Sequence, residues 1–95
     1  MKKYKIQATY ITRHYDDASA EHESQSPASE MSIEELKEYA RGLVRLTAGG
    51  DEYFRTMNMS EEPAINVDDD YIDIIFDFTA GDFTTDIRVS FTVED

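Results

Sequence analysis

Apolar and polar residues alternate from Lys3 to Arg13, with Tyr4, Ile6, Ala8 and Tyr10 on one face and Lys3, Lys5, Gln7, Thr9 and Arg13 on the other. A period of two predicts a half-buried strand. The same period returns near the C-terminus, where Ile72, Ile74, Phe76 and Phe78 share one face and Phe83, Thr85, Ile87, Val89, Phe91 and Val93 share the next, with Thr79-Ala80-Gly81-Asp82 between them. These runs predict a hairpin. In the middle, Ile33, Leu36, Ala40, Leu43 and Val44 recur at the three-and-four spacing of one helical face. Ser32-Ile33-Glu34-Glu35 has the form of a capping box, Met31 is placed to staple onto Leu36, and Ala48-Gly49-Gly50 ends the run. A helix is therefore expected from about Ser32 to Thr47.

The remaining segments carry weaker patterns. Residues 14–31 read HYDDASAEHESQSPASEM, with no base and little aliphatic content, and predict a mobile acidic loop. Asp51 is placed to cap a short second helix, ending before Pro63, that turns Tyr53, Phe54 and Met57 inward. Ile65-Asn66-Val67 suggests a short extended approach to the hairpin. The expected architecture is α+β: one domain over residues 1–95, a small two-layer sandwich with one main helix packed on a three-stranded, mostly antiparallel sheet. Its element order is strand, helix, short helix, strand, strand.

Cross-strand energetics suggest a hairpin register. Phe78 opposite Phe83 places Phe76–Thr85, Ile74–Ile87 and Ile72–Val89 inside, and Asp77–Thr84 and Asp73–Arg88 outside. Slipping by two sets Asp77 against Asp86 and separates Arg88 from its acid, a difference of about 1 kcal/mol in favour of the first register. Arg88 then acts as a structural counter-ion. Ile11, Tyr71 and Ile75 fall on the nominally polar face, an apolar stripe among carboxylates of the kind that interfaces use.

Charge changes the picture most. The 95 residues carry 9 Lys+Arg against 21 Asp+Glu, for a net charge of -12, and 40% of them are apolar, more than a disordered acidic tail holds. The size excludes a multidomain enzyme. Acidity on this scale argues against direct binding to nucleic acid or to an anionic membrane surface, and toward basic protein surfaces as partners. Met1-Lys2-Lys3 is followed by no apolar core of a secretory signal, and the longest apolar run, Ile74-Ile75-Phe76, is far too short to span a bilayer. Cysteine is absent, which removes disulfides and thiolate chemistry and fits a cytoplasmic location.

Candidate chemistry is sparse. His14 and His22 are the only imidazoles and accompany no nucleophile signature, while Gly49-Gly50 lacks the Gly-Lys-Ser/Thr of a phosphate loop. Asp68-Asp69-Asp70 with Asp73 lacks the spacing of an EF-hand. No catalytic residue, metal site or cofactor is therefore expected. The distribution of acids is the remaining signal: from Asp68 onward Asp68, Asp69, Asp70, Asp73, Asp77, Asp82, Asp86, Glu94 and Asp95 face Arg88 alone. Alternate residues of a strand lie about 6.6 Å apart, close enough to a phosphate spacing for carboxylates to occupy sites built for phosphates.

In size, acidity and lack of catalytic signature the chain resembles the small phage and mobile-element proteins that inhibit host defence nucleases, including anti-CRISPR and anti-restriction proteins that imitate DNA. The resemblance is one of gross composition and carries over no residue. It implies a non-enzymatic inhibitor that binds the basic surface of a nucleic-acid-handling protein or nuclease. The expected contact residues are Asp68, Asp69, Asp70, Asp73, Asp77, Asp82 and Asp86, together with Glu34, Glu35 and Glu38 at the start of the helix, and Ile11, Tyr71 and Ile75 as apolar contacts. The competing expectation is a structural or assembly protein, homodimeric through that face, whose acidity serves only solubility.

Overall fold

The computed structural model describes residues 2–15 and 18–94. Met1, Asp16, Asp17 and Asp95 lie outside the described residues, and with them one carboxylate of the acidic C-terminal set and two of the segment 14–31. The described residues form an α+β fold with one helix and a large antiparallel sheet. Its elements are β1 (Tyr4–Tyr15), β2 (Ala18–Ser24), β3 (Glu30–Met31), α1 (Ile33–Gly49), β4 (Asn58–Met59), β5 (Ala64–Val67), β6 (Tyr71–Ala80) and β7 (Phe83–Glu94). The strand order is β2-β1-β7-β6-β4, with β3 also beside β1 and β5 also beside β6.

The sheet thus has seven strands where the pattern predicts three. The additional four are short or polar edge pieces, joined to β1 and β6 by backbone hydrogen bonds, with Met31 of β3 and Met59 of β4 packing on the core. Residues 18–24, expected within a mobile loop, form β2 and pair along β1 from Thr9↔Ser24 to Tyr15↔Ala18. A backbone ladder satisfies a polar segment as well as an apolar one.

Helix α1 forms as its signals predict. The Ser32 amide donates to Glu35 Oε1 at 2.9 Å and the Glu35 amide to Ser32 Oγ at 3.2 Å, which completes the capping box, and Gly50 caps the other end. Leu36, Ala40, Val44 and Ala48 are buried against Ile72, Ile74, Phe76 and Phe78 of β6 and Ile87, Val89 and Phe91 of β7. Each fully buried Leu, Val, Ile or Phe side chain contributes about 1.5–3 kcal/mol. The expected second helix is a single turn: the Phe54 and Arg55 amides donate to Asp51 O at 3.1 and 2.9 Å, and Asn58–Met59 then pairs with β6. That turn buries Phe54 and leaves Tyr53 and Met57 at the margin of the core.

Two expectations of register are overturned. In the hairpin, Phe78 stands opposite Thr85, Phe76 opposite Ile87, Ile74 opposite Val89 and Ile72 opposite Phe91, so Asp77 faces Asp86 and Asp73 faces Ser90. This is the slipped register. Both registers keep the apolar residues inside, because they differ by an even number, and the turn decides between them. Strand pairing runs up to Ala80↔Phe83, leaving a two-residue loop, Gly81-Asp82, with Gly81 at φ 61°. The primed turns that suit two-residue hairpins require φ > 0 at this first position, which glycine adopts without strain.

In β1 the alternation changes phase. Ile6 pairs with Val93 but Ala8 pairs with Thr92, so Gln7 is an extra residue, a β-bulge. Beyond it Thr9 and Ile11 turn inward and are buried, while Tyr10 and Thr12 face outward across from Ser90 and Arg88. Ile11, expected on the polar face, is a core residue at 4% exposure.

Candidate functional site

One face of the sheet packs on α1, and among the described residues no helix covers the other. The open face is built from the outward residues of four strands. Register places Glu23, Tyr10, Ser90 and Asp73 side by side across β2, β1, β7 and β6, and the next row reads Glu21, Thr12, Arg88 and Ile75. A third row holds His14, Asp86 and Asp77. The centre of the face is therefore Tyr10, Thr12, Ile75 and Arg88, and carboxylates stand around it.

The acids on this face differ in how they are held. Ser90 Oγ donates to Asp73 Oδ1 at 2.7 Å, and His14 Nδ1 lies 2.5 Å from Asp86 Oδ1. Thr85 Oγ1 donates to His14 O at 2.6 Å, fixing the backbone of β1 that presents the imidazole. The Asp77 amide donates to Ser60 Oγ at 3.1 Å, while the Asp77 side chain stays exposed. Arg88 Nε is buried and, among the described residues, has no hydrogen-bond partner. Arg88 stands opposite Ile75, so it is not the counter-ion of Asp73 that cross-strand reasoning makes it.

The structure brings together only part of the expected contact set. Asp73, Asp77 and Asp86 share the open face with Ile75 and Tyr71. Asp68, Asp69 and Asp70 form the link between β5 and β6, where Asp68 Oδ1 accepts the Asp69 amide at 2.7 Å. The Asp68 charge, then its hydrogen bond, raise the Tyr71 hydroxyl above the ordinary phenol range. Asp82 is exposed in the hairpin turn.

Glu34, Glu35 and Glu38 belong to the opposite layer and have structural partners. Lys37 Nζ lies 3.1 Å from Glu34 and Arg41 Nε 3.2 Å from Glu38, each across one helical turn. Hydrogen bonds from the Ser32 backbone and side chain, followed by the Lys3 charge at 3.5 Å, lower the Glu35 carboxyl below its ordinary value. Sequence reasoning misses Tyr10, Thr12, Glu21 and Glu23, because the first two depend on the bulge at Gln7 and the last two on β2. Ala8, small enough for either face, left the phase of β1 open to the single reading its neighbours suggested.

A second polar cluster lies between β1 and the turn that follows α1. Arg13 Nη1 donates to Asp51 Oδ2 at 3.1 Å, the Tyr15 hydroxyl donates to the same oxygen, and the Tyr53 amide donates to Oδ1 at 2.9 Å. Burial alone would raise the Asp51 carboxyl, but the Tyr15 hydroxyl, the Tyr53 amide and the Arg13 guanidinium together hold it below the ordinary carboxylate range. Burial and the bond to Asp51 raise Tyr15 in turn. A carboxylate stabilised as the anion by three donors is a weak general base, and the cluster serves to clamp the turn to the sheet.

A groove of about 650 Å³ lies at the other end of the sheet, lined by residues that include Lys2, Lys3, Lys5, Asp68, Asp69 and Glu94. Lys3 and Lys5 already lie 3.5 Å from Glu35 and 3.4 Å from Glu94. Among the described residues no group of three or more His, Asp or Glu side chains is arranged to hold a metal ion, and no helix is long and apolar enough to cross a membrane. No protein-family model matches the chain, and comparisons with curated proteins and with solved structures return no match.

Proposed function

We propose that this chain is a non-enzymatic acidic binding protein whose open sheet face docks onto a basic surface of a nucleic-acid-handling protein and obstructs it. The observation that carries this reading is the placement of Asp77 directly opposite Asp86 on the sheet face opposite α1, which no helix covers among the described residues. Like charges directly across a strand pair oppose folding by a few tenths of a kcal/mol to about 1 kcal/mol. A cationic partner would turn that cost into binding energy and would be steered to the face by the surrounding acids.

The face also has the composition of a docking surface. Tyr10, Ile75 and Tyr71 provide aromatic and aliphatic contact area, and Arg88 places one cation among the carboxylates. The outward acids of β6, Asp73 and Asp77, are separated by Ile75 and stand about 13 Å apart along the strand. They fit discrete cationic positions on a partner better than an unbroken row of phosphate sites. Phage anti-defence proteins of the anti-CRISPR or anti-restriction type are the corresponding class of inhibitor.

The test is affinity capture from a bacterial lysate at low and at about fourfold higher salt, with duplex DNA as competitor. Capture of a nucleic-acid enzyme that both salt and DNA release supports the proposal. Recovery of the chain with itself alone would favour assembly through the same face.

A further inference from the structure

We propose that the free edge of β5 is a second docking site, which takes an extended peptide of alternating apolar residues with Lys or Arg at both ends as an added strand. This stands on a different surface from the open face and does not depend on it. β5 pairs with β6 on one side only and ends the sheet there, so alternate residues turn backbone N–H and C=O groups outward.

The two ends of the sheet differ in what they offer. β2, at the opposite edge, carries Ala, Ser, Glu and His and no large apolar side chain. β5 carries Ile65 at 38% and Val67 at 48% exposure, both on the side of the sheet that bears the helix, since their partners Ile74 and Ile72 are buried. Edge strands are ordinarily blunted by shortness, lysine, proline or a bulge; Ala64–Val67 is short, at 4 residues, but contains no charge, proline or bulge, and Pro63 only marks its start. Exposed valine and isoleucine on an edge without charge, proline or bulge suit a strand whose own apolar residues pack alongside.

Charge selects the occupant. Glu61 and Glu62 precede β5, and Asp68, Asp69 and Asp70 follow it, all exposed. Glu62 makes one contact with Lys37, at 3.6 Å, and remains largely in solvent. A second copy of this chain would bring like charges against like at both ends. A peptide with basic ends is drawn to them. Val67, Asp68 and Asp69 also border the 650 Å³ groove, whose far wall carries Lys2 together with Lys3 and Lys5, the last two already paired with Glu35 and Glu94. The basic end is therefore held by Asp68 to Asp70 at the groove's rim and not inside it.

The experiment records backbone amide NMR spectra during titration with a synthetic peptide of alternating valine and threonine with lysine ends. Controls are the same peptide with glutamate ends and one with proline at the central positions. Perturbation centred on residues 64–67, absent with both controls and weakened about tenfold or more in the Ile65→Lys/Val67→Lys variant, is expected. Both positions are exposed, so the variant should fold, and its unperturbed core amides would show it. Amides 64–67 unmoved at millimolar peptide, or moved equally by the glutamate-ended peptide, would overturn the proposal. Concentration-dependent change at β5 without peptide would assign the edge to a second copy and overturn the occupant.

Discussion

Asp77 stands opposite Asp86 across the β6–β7 pair, while Arg88 stands opposite Ile75 at the next outward position. The hairpin accepts this repulsion because its two-residue turn and the pairing of Ile72 with Phe91 leave it no freedom to slip. His14 answers Asp86 from β1, and Asp77 is left to solvent. Asp77→Asn should therefore raise stability by about 0.5 kcal/mol, read as a higher urea midpoint at unchanged slope, while weakening partner capture. A lower midpoint would contradict the role given to this pair.

Gly81 carries the turn. Its φ of 61° lies in the left-handed region, and an added Cβ meets nothing within 4 Å, so the cost of a substitution is confined to the backbone. Gly81→Ala is expected to lower stability by about 1 kcal/mol, and Gly81→Asn by less. Equal losses in denaturant unfolding would point to a contact that the geometry does not contain.

Asp51 sets an acid limit. Its carboxyl titrates below the ordinary range in the folded chain, so the stability it contributes is present above about pH 4, the unfolded value, and is lost as pH falls through the lower folded value. Asp51→Asn should cost about 2 kcal/mol near neutrality by stranding Arg13 and Tyr15. The gap between variant and wild type in thermal melts should close as the pH is lowered toward 2. A gap that stays constant would show that the anion is not the stabilised form.

Phe54 ties the turn after α1 to the sheet. Its ring lies 5.2 Å from Phe78, 5.0 Å from Tyr53 and 5.6 Å from Tyr15, and it is fully buried. Phe54→Ala should cost about 3–5 kcal/mol, against less than about 0.5 kcal/mol for Leu46→Ala on the exposed side of α1. Calorimetric unfolding of the two variants tests the contrast.

Elements with strong local signals were readable in the amino-acid pattern. The capping box at Ser32 and Glu35 and the apolar faces of β6 and β7 form as written, because local hydrogen bonding and burial act in the same direction there. β2 was not readable, since ASAEHES carries no apolar period and gains its structure from the backbone ladder along β1. The bulge at Gln7 left no mark either, and it decides whether Ile11 or Tyr10 faces solvent. In the hairpin, side-chain charge favoured one register and turn geometry the other; Gly81 was the residue that carried the answer. The acids of the open face were legible as a type, but their company on one surface depends on these three long-range features. Glu34, Glu35 and Glu38 lie on the helix layer, away from the open face, and pair with Lys37, Ser32 and Arg41 there.

Comparison of two charge-reversed variants against the captured partner tests the central claim most directly. One carries Asp73→Lys and Asp77→Lys on the open face, the other Glu34→Lys and Glu38→Lys on α1. Affinity reduced by about a hundredfold in the first and nearly unchanged in the second, with both variants folded by amide NMR, is the result expected for docking through the open sheet face. Unchanged affinity in the open-face variant, or an equal loss in the helix variant, would contradict it.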